Sequence, residues 1–235
     1  MAQTSRIDQW LSRCGYCSRR EARAWVRQGR VLVGNEPAHS AEQRVPGGEI
    51  RVDGEPLEAP DGLLVLLNKP AGRVCSHQAS EGPSIYDLLP ERWQHRNPAI
   101  NSIGRLDHDT TGVLLLTDLG DLIQRWTSPR HKVPKVYEVT VDQPLDDTLI
   151  PLFASGTLQL PGEDSPCAPA RLQILDDLQA RLELTEGRFH QVKRMFGVTG
   201  RTVTRLHRSR FGEIELGDLE PGKWRLLEVP DLTRS

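Results

Sequence analysis

Residues 101–112 read NSIGRLDHDTTG and run straight into the apolar segment VLLLT at 113–117. Two carboxylates, Asp107 and Asp109, sit there with two glycines and the hydroxyls of Ser102, Thr110 and Thr111. A polar loop at the mouth of a buried strand holds a carboxylate on a rigid base while leaving it accessible. Either aspartate therefore suits nucleophilic or acid–base chemistry, and either also suits the capping of a turn. Cys14 and Cys17 have the spacing of half a zinc site, but Cys75 and Cys167 supply no second close pair and the seven histidines are dispersed. Four ligands are not completed, so no metal is expected.

The charge is unevenly placed. The chain of 235 residues has a formal net charge of -2. Yet Arg6, Arg13, Arg19, Arg20, Arg23, Arg27 and Arg30 stand against only Asp8 and Glu21 in residues 1–30. Seven more cations and no acid occupy residues 187–211, whereas residues 142–186 carry nine acids against Arg171 and Arg181. Two basic patches rich in arginine point to a polyanion gripped through phosphate. Apolar runs such as 63–67 are far too short to cross a bilayer, and the first thirty residues have no secretory pattern. The expectation is a cytoplasmic protein with no membrane partner.

Those residues need positioning elements. A short helix over 8–14 stops at Gly15, and Ser18 with Glu21 forms a capping box for a second helix running to Gln28. That helix turns Ala22, Trp25 and Val26 inward and lines Arg19, Arg23 and Arg27 along another face. Strands follow at 31–33 and 49–52. Residues 53–62 (DGEPLEAPDG) have the composition of a linker. Beyond it come an apolar run at 63–68 and strands at 113–117, 136–141, 180–185, 202–206 and 224–229, with short helices at 84–89, 119–126 and 190–196. Asp118 is a possible cap for the second of these helices. Helices do not alternate regularly with strands, so the fold class is α+β. The chain divides into residues 1–58 and 59–235.

Several blocks together resemble the RsuA-type pseudouridine synthases of bacterial ribosomal RNA. They are LVLLNKPAG at 64–72, GRLDHDTTG at 104–112, KVYEV at 135–139 and EGRFHQVKRMF at 186–196. Residues 6–36 resemble an S4 RNA-binding module through SRREA at 18–22 and GRVLVGN at 29–35, where Gly-Asn replaces the family's usual Asn-Gly. The resemblance covers nearly the whole chain. It implies a small S4-type α/β domain followed by a catalytic domain with a central, mainly antiparallel mixed sheet.

It further implies isomerisation of a uridine to its C-glycoside, which needs no cofactor; no G-x-G-x-x-G or Walker sequence is present. By resemblance Asp107 is the catalytic carboxylate, Lys193 its cation, and Tyr137 the ring that stacks on uracil. Arg105 fills or braces the space the base leaves, while Arg194 contacts RNA or supports the sheet and His190 orders its loop or contacts RNA. Arg6, Arg19, Arg20, Arg23 and Arg27 bind RNA phosphates. The compact length and HQVKRMF at 190–196 look most like family members acting on uridine 516 of 16S rRNA in a partly assembled small-subunit particle, as monomers. The competing readings are a large-subunit synthase of the same family and a non-catalytic assembly factor; a nuclease is weaker, for want of a metal-binding carboxylate set.

Overall fold

The structure is a computed structural model and describes residues 4–230. It opens with β1 (Thr4–Arg6), α1 (Ile7–Arg13) and α2 (Arg19–Arg27). The expected capping box is in place. Ser18 N donates to the Glu21 carboxylate at 2.9 Å and Glu21 N donates to the Ser18 hydroxyl at 3.3 Å, satisfying amides that a helix start leaves free. Ile7, Trp10, Leu11 and Ala22 form a core against which Trp25 and Val26 pack. Around it run β2 (Val31–Val33), β3 (Glu36–Pro37), β4 (Arg44–Pro46), β5 (Ile50–Val52) and β6 (Glu55–Pro56). A small antiparallel sheet has the order β3-β2-β5-β6, and β1 pairs with β4.

Residues 53–62 are not the free linker their composition suggests. Asp53 and Gly54 make the turn between β5 and β6, and Arg30 forks onto the Asp53 carboxylate at 2.9 and 2.6 Å. Leu57 is buried in the N-terminal core. Glu58 N donates to the Tyr16 hydroxyl at 3.2 Å, and its carboxylate accepts from Arg92 and from Trp93 Nε1. Pro and Gly mark the turns here, while the residues between them join the two parts.

The larger part contains β7 (Leu64–Lys69), α3 (Glu91–Gln94), β8 (Asn101–Ser102), β9 (Thr111–Thr117), α4 (Gly120–Thr127) and β10 (Lys135–Val141). Then come α5 (Leu149–Ala154), β11 (Arg171–Ile174), β12 (Gln179–Leu184), α6 (Gln191–Gly197), β13 (Val203–Phe211), β14 (Ile214–Glu215) and β15 (Trp224–Leu227). They build a nine-stranded sheet of order β11-β12-β10-β13-β9-β7-β15, with β14 on β13 and β8 on β9. Its pairings are antiparallel except β13 with β9. β7 and almost all of β9 are buried, which is why their sequences are continuous apolar runs; β10 and β12 alternate instead.

One cap differs from expectation. Leu119 occupies the N-cap position of α4. Asp118 is buried beside Arg96, whose Nε donates to it at 2.8 Å, and it accepts from Leu63 N at 2.7 Å. A charge in that position serves a buried ion pair that links distant segments, so its partner is invisible in the local sequence.

Candidate active site

The parallel contact between β9 and β13 sets the geometry. Gly112 lies beside Arg208 with φ +108, and a Cβ there would overlap the Arg208 carbonyl oxygen. Only glycine accepts both the positive φ and the close approach. The loop leading into Gly112 carries Asp107. Thr110 N donates to the Asp107 carbonyl at 3.1 Å, and Gly72 N donates to the His108 carbonyl at 2.9 Å.

Lys69, at the end of β7, locks this loop from below. Its side chain is fully buried, and Nζ donates to the carbonyls of Thr110 (2.8 Å), Pro70 (3.1 Å) and His108 (3.2 Å). Burial pushes its pKa down, and the three carbonyl dipoles answer the charge that burial disfavours. The sequence marks Lys69 only by its place in the LVLLNKPAG block and at the end of an apolar run, neither of which assigns it this role.

A cavity of about 550 Å³ opens over this loop, with Asp107, Tyr137, Arg105, His190 and Arg208 among its walls. The Asp107 carboxylate is held from two sides, by Lys193 Nζ at 3.3 Å and His190 Nε2 at 3.4 Å. Lys193 also donates to Asp109 at 2.5 Å. The two aspartates are nevertheless unlike. Asp107 is 23% exposed and lines the cavity, whereas Asp109 is 66% exposed and stands outside its wall. Burial works against the Lys193 ammonium, but the Asp109 hydrogen bond and the Asp107 charge outweigh it and hold its pKa above 10.5. Asp109 is correspondingly held below the usual carboxylate value by the Lys193 hydrogen bond.

Tyr137 reaches the cavity from β10, directly across the strands from Arg208. The register shifts between Val136 and Tyr137, so Arg208 and Phe211 both face the cavity whereas His207, Ser209 and Arg210 face the opposite side of the sheet. That opposite side holds a groove of about 640 Å³ lined by both arginines and glutamates; Arg210 there is already paired with Glu183 at 3.1 Å. Arg208 is buried, and its Nε donates to the Val113 carbonyl at 2.7 Å. It places a cation in the cavity floor, on the same face as Leu206, at a position beyond the strand expected at 202–206.

Arg105 is exposed at the rim. Arg194 points elsewhere: its guanidinium donates to Glu163 (2.7 Å) and to the carbonyls of Pro161 (2.6 Å) and Phe189 (3.1 Å). Neighbours on a helix diverge by about 100°, so only Lys193 of this pair meets Asp107. The N-terminal arginines also differ among themselves. Arg6 and Arg19 contact the buried Asp8 at 2.8 and 3.5 Å, and Arg23 pairs with Glu42 at 3.0 Å. Arg20 and Arg27 are exposed on α2. Cys14 is fully buried and Cys17 half-buried; burial pushes each thiol up to about 11. Among the described residues no three His, Cys, Asp or Glu side chains gather as metal ligands.

A carboxylate clamped by two cationic or polar groups, in a cavity that an aromatic ring also lines, is equipment for attack on a planar base. The family model described as RNA pseudouridylate synthase matches residues 63–197, which contain this whole arrangement apart from Arg208. The chain belongs to the RNA pseudouridylate synthase family. The S4 domain model matches residues 5–50 of the synthase. It is 40% identical over 230 residues to ribosomal small subunit pseudouridine synthase A of Yersinia pestis, covering 97% of this chain and 96% of the relative. The protein of that name from Escherichia coli (strain K12) is 40% identical over 232 residues, with 97% and 98% covered. A crystal structure of a pseudouridylate synthase superposes with a TM-score of 0.66 at 37% identity, covering 95% of this chain and 96% of that one. The synthase is thus an RsuA-type isomerase with an S4 region ahead of a mixed-sheet catalytic part.

Proposed function

We propose that the synthase isomerises uridine 516 of 16S ribosomal RNA within a partly assembled small-subunit particle, with Asp107 as the catalytic carboxylate. The observation that carries this reading is the Asp107 carboxylate in the cavity wall, held by Lys193 at 3.3 Å and His190 at 3.4 Å. The choice of RNA is supported by the relatives named as small-subunit enzymes.

The reaction breaks the N1–C1′ bond, turns the uracil, and forms a C5–C1′ bond. The proton on C5 leaves and N1 gains one, so the balance requires no oxidant and no donor group. Asp107 acts at the junction of base and sugar, by attack on C6 or on C1′ or by aiding departure of the base. A partly buried carboxylate needs a partner of opposite charge, and Lys193 Nζ supplies one at 3.3 Å. Tyr137 stacks on the flipped uracil, and its hydroxyl participates in removing the C5 proton. Arg105, exposed on the Asp107 loop, braces the space the base vacates. Arg20 and Arg27 supply phosphate contacts from the N-terminal part, with Arg6, Arg19 and Arg23 as a second rank already paired to acids.

Small-subunit particles carrying tritium at uridine C5 test the chemistry. One tritium released per 16S molecule by the wild type, with none from Asp107→Asn, is the expected result. Undiminished release from Asp107→Asn would remove Asp107 from the catalytic role.

A further inference from the structure

Phe189 is 67% exposed, the most open of the large apolar side chains in the described part of the chain. It stands in the wall of the Asp107 cavity. Its ring lies flat on the His190 imidazole, with centroids 3.8 Å apart and planes at 17°, and His190 is the group 3.4 Å from Asp107. The two stacked rings therefore form a step leading outward from the carboxylate.

The segment presenting Phe189 is firmly held. Arg188 donates to the carbonyls of Ser165 (2.7 Å) and Pro166 (2.6 Å) and contacts Glu186 at 3.3 Å. Gln191 donates to Glu186 at 2.6 Å and accepts from Arg188 N at 2.9 Å. The Phe189 carbonyl takes the Arg194 hydrogen bond, and His190 adopts the left-handed conformation at φ 47. A non-glycine residue in that region costs energy and persists only where its surroundings impose it. The segment so restrained holds an apolar ring in water at the wall of the Asp107 cavity.

We infer that Phe189, backed by His190, is a stacking platform for an unpaired base adjacent to the target uridine. This inference rests on the proposed RNA reaction at Asp107 and adds a second base-binding position to it. An aromatic face is a sequence-tolerant partner for a base that has lost its neighbour in the stack. When one uridine leaves the RNA stack, the flanking base exposes a face, and Phe189 lies along the exit from the cavity.

The test uses a small-subunit RNA segment with 2-aminopurine on either side of the target uridine, bound to wild type, Phe189→Tyr and Phe189→Leu. Because the side chain is exposed, all three are expected to melt alike. The platform predicts quenched fluorescence at one flanking position with wild type and Phe189→Tyr, and lost quenching with Phe189→Leu. RNA affinity should fall about tenfold in Phe189→Leu and be rescued by tyrosine, the loss falling on KM rather than kcat. Absence of quenching by wild type overturns the platform whether or not pseudouridine forms. Retained quenching in Phe189→Leu also overturns it, and weakened particle binding in that case would assign Phe189 to a protein contact. Quenching by wild type without pseudouridine formation would sustain the platform and defeat the reading of the reaction.

Discussion

At the scale of single residues, the site depends on one lysine shared by two carboxylates. Lys193 contacts Asp107 at 3.3 Å and Asp109 at 2.5 Å, so replacing it leaves two adjacent anions, one of them partly desolvated. Lys193→Met should reduce kcat about a hundredfold or more, in line with loss of one preorganised electrostatic contact, as measured in single-turnover assays. The sign of the pH dependence follows from its pKa, which lies above 10.5 in the folded chain. The ion pairs contribute fully below pH 10.5 and are lost as pH rises through the higher folded value. The difference in thermal midpoint between wild type and Lys193→Met should therefore be level from pH 8 to 10 and shrink beyond the lysine value; narrowing already near pH 8 would contradict the pairing. The residues of this clamp were legible because the blocks at 104–112 and 186–196 both carry them. Lys69, Arg208 and Phe189 were not assigned, because their significance depends on which carbonyl, strand or ring lies opposite.

Among the elements, the parallel pairing of β9 with β13 decides where the Asp107 loop ends. Gly112→Ala introduces a Cβ that overlaps the Arg208 carbonyl at a φ of +108. It should destabilise the fold by at least about 3 kcal/mol, visible in urea unfolding, and should lower activity even where the chain folds. A stability within 1 kcal/mol of wild type would mean that β9 and β13 separate without penalty. The strands of the main sheet were readable from their patterns: continuous apolar runs for buried β7 and β9, alternation for β10 and β12. The helix start at Ser18 was readable from its capping box. The Asp118–Arg96 pair and the bulge in β13 could not be read, because each is fixed by a partner far away in sequence, where local pattern has no information. Strand β11, the hairpin partner of β12, and helix α5 went unread for another reason: at four and six residues they are too short for an apolar period to stand out.

For the molecule as a whole, the two basic patches flank different tasks. The patch at 187–211 is largely internal: Arg188, Arg194 and Arg201 are committed to acids and carbonyls of the acidic segment 142–186. Opposite charges separated in sequence thus meet within the catalytic part, leaving α2 as the more open basic face. Reversing Arg20 and Arg27 to glutamate should weaken RNA binding and lower the magnitude of the salt slope by about 1 to 2, as expected for two phosphate contacts, with the rate of the saturated complex retained. An unchanged slope would remove α2 from the RNA interface. The most direct measurement of the central claim is carbodiimide mapping of pseudouridine on unmodified small-subunit particles, comparing wild type with Asp107→Ala. A single new reverse-transcription stop at the position equivalent to 516 is expected with wild type and none with the variant. A stop only on large-subunit RNA would contradict the assigned target. No stop on either RNA, with binding intact, would contradict the catalytic role of Asp107.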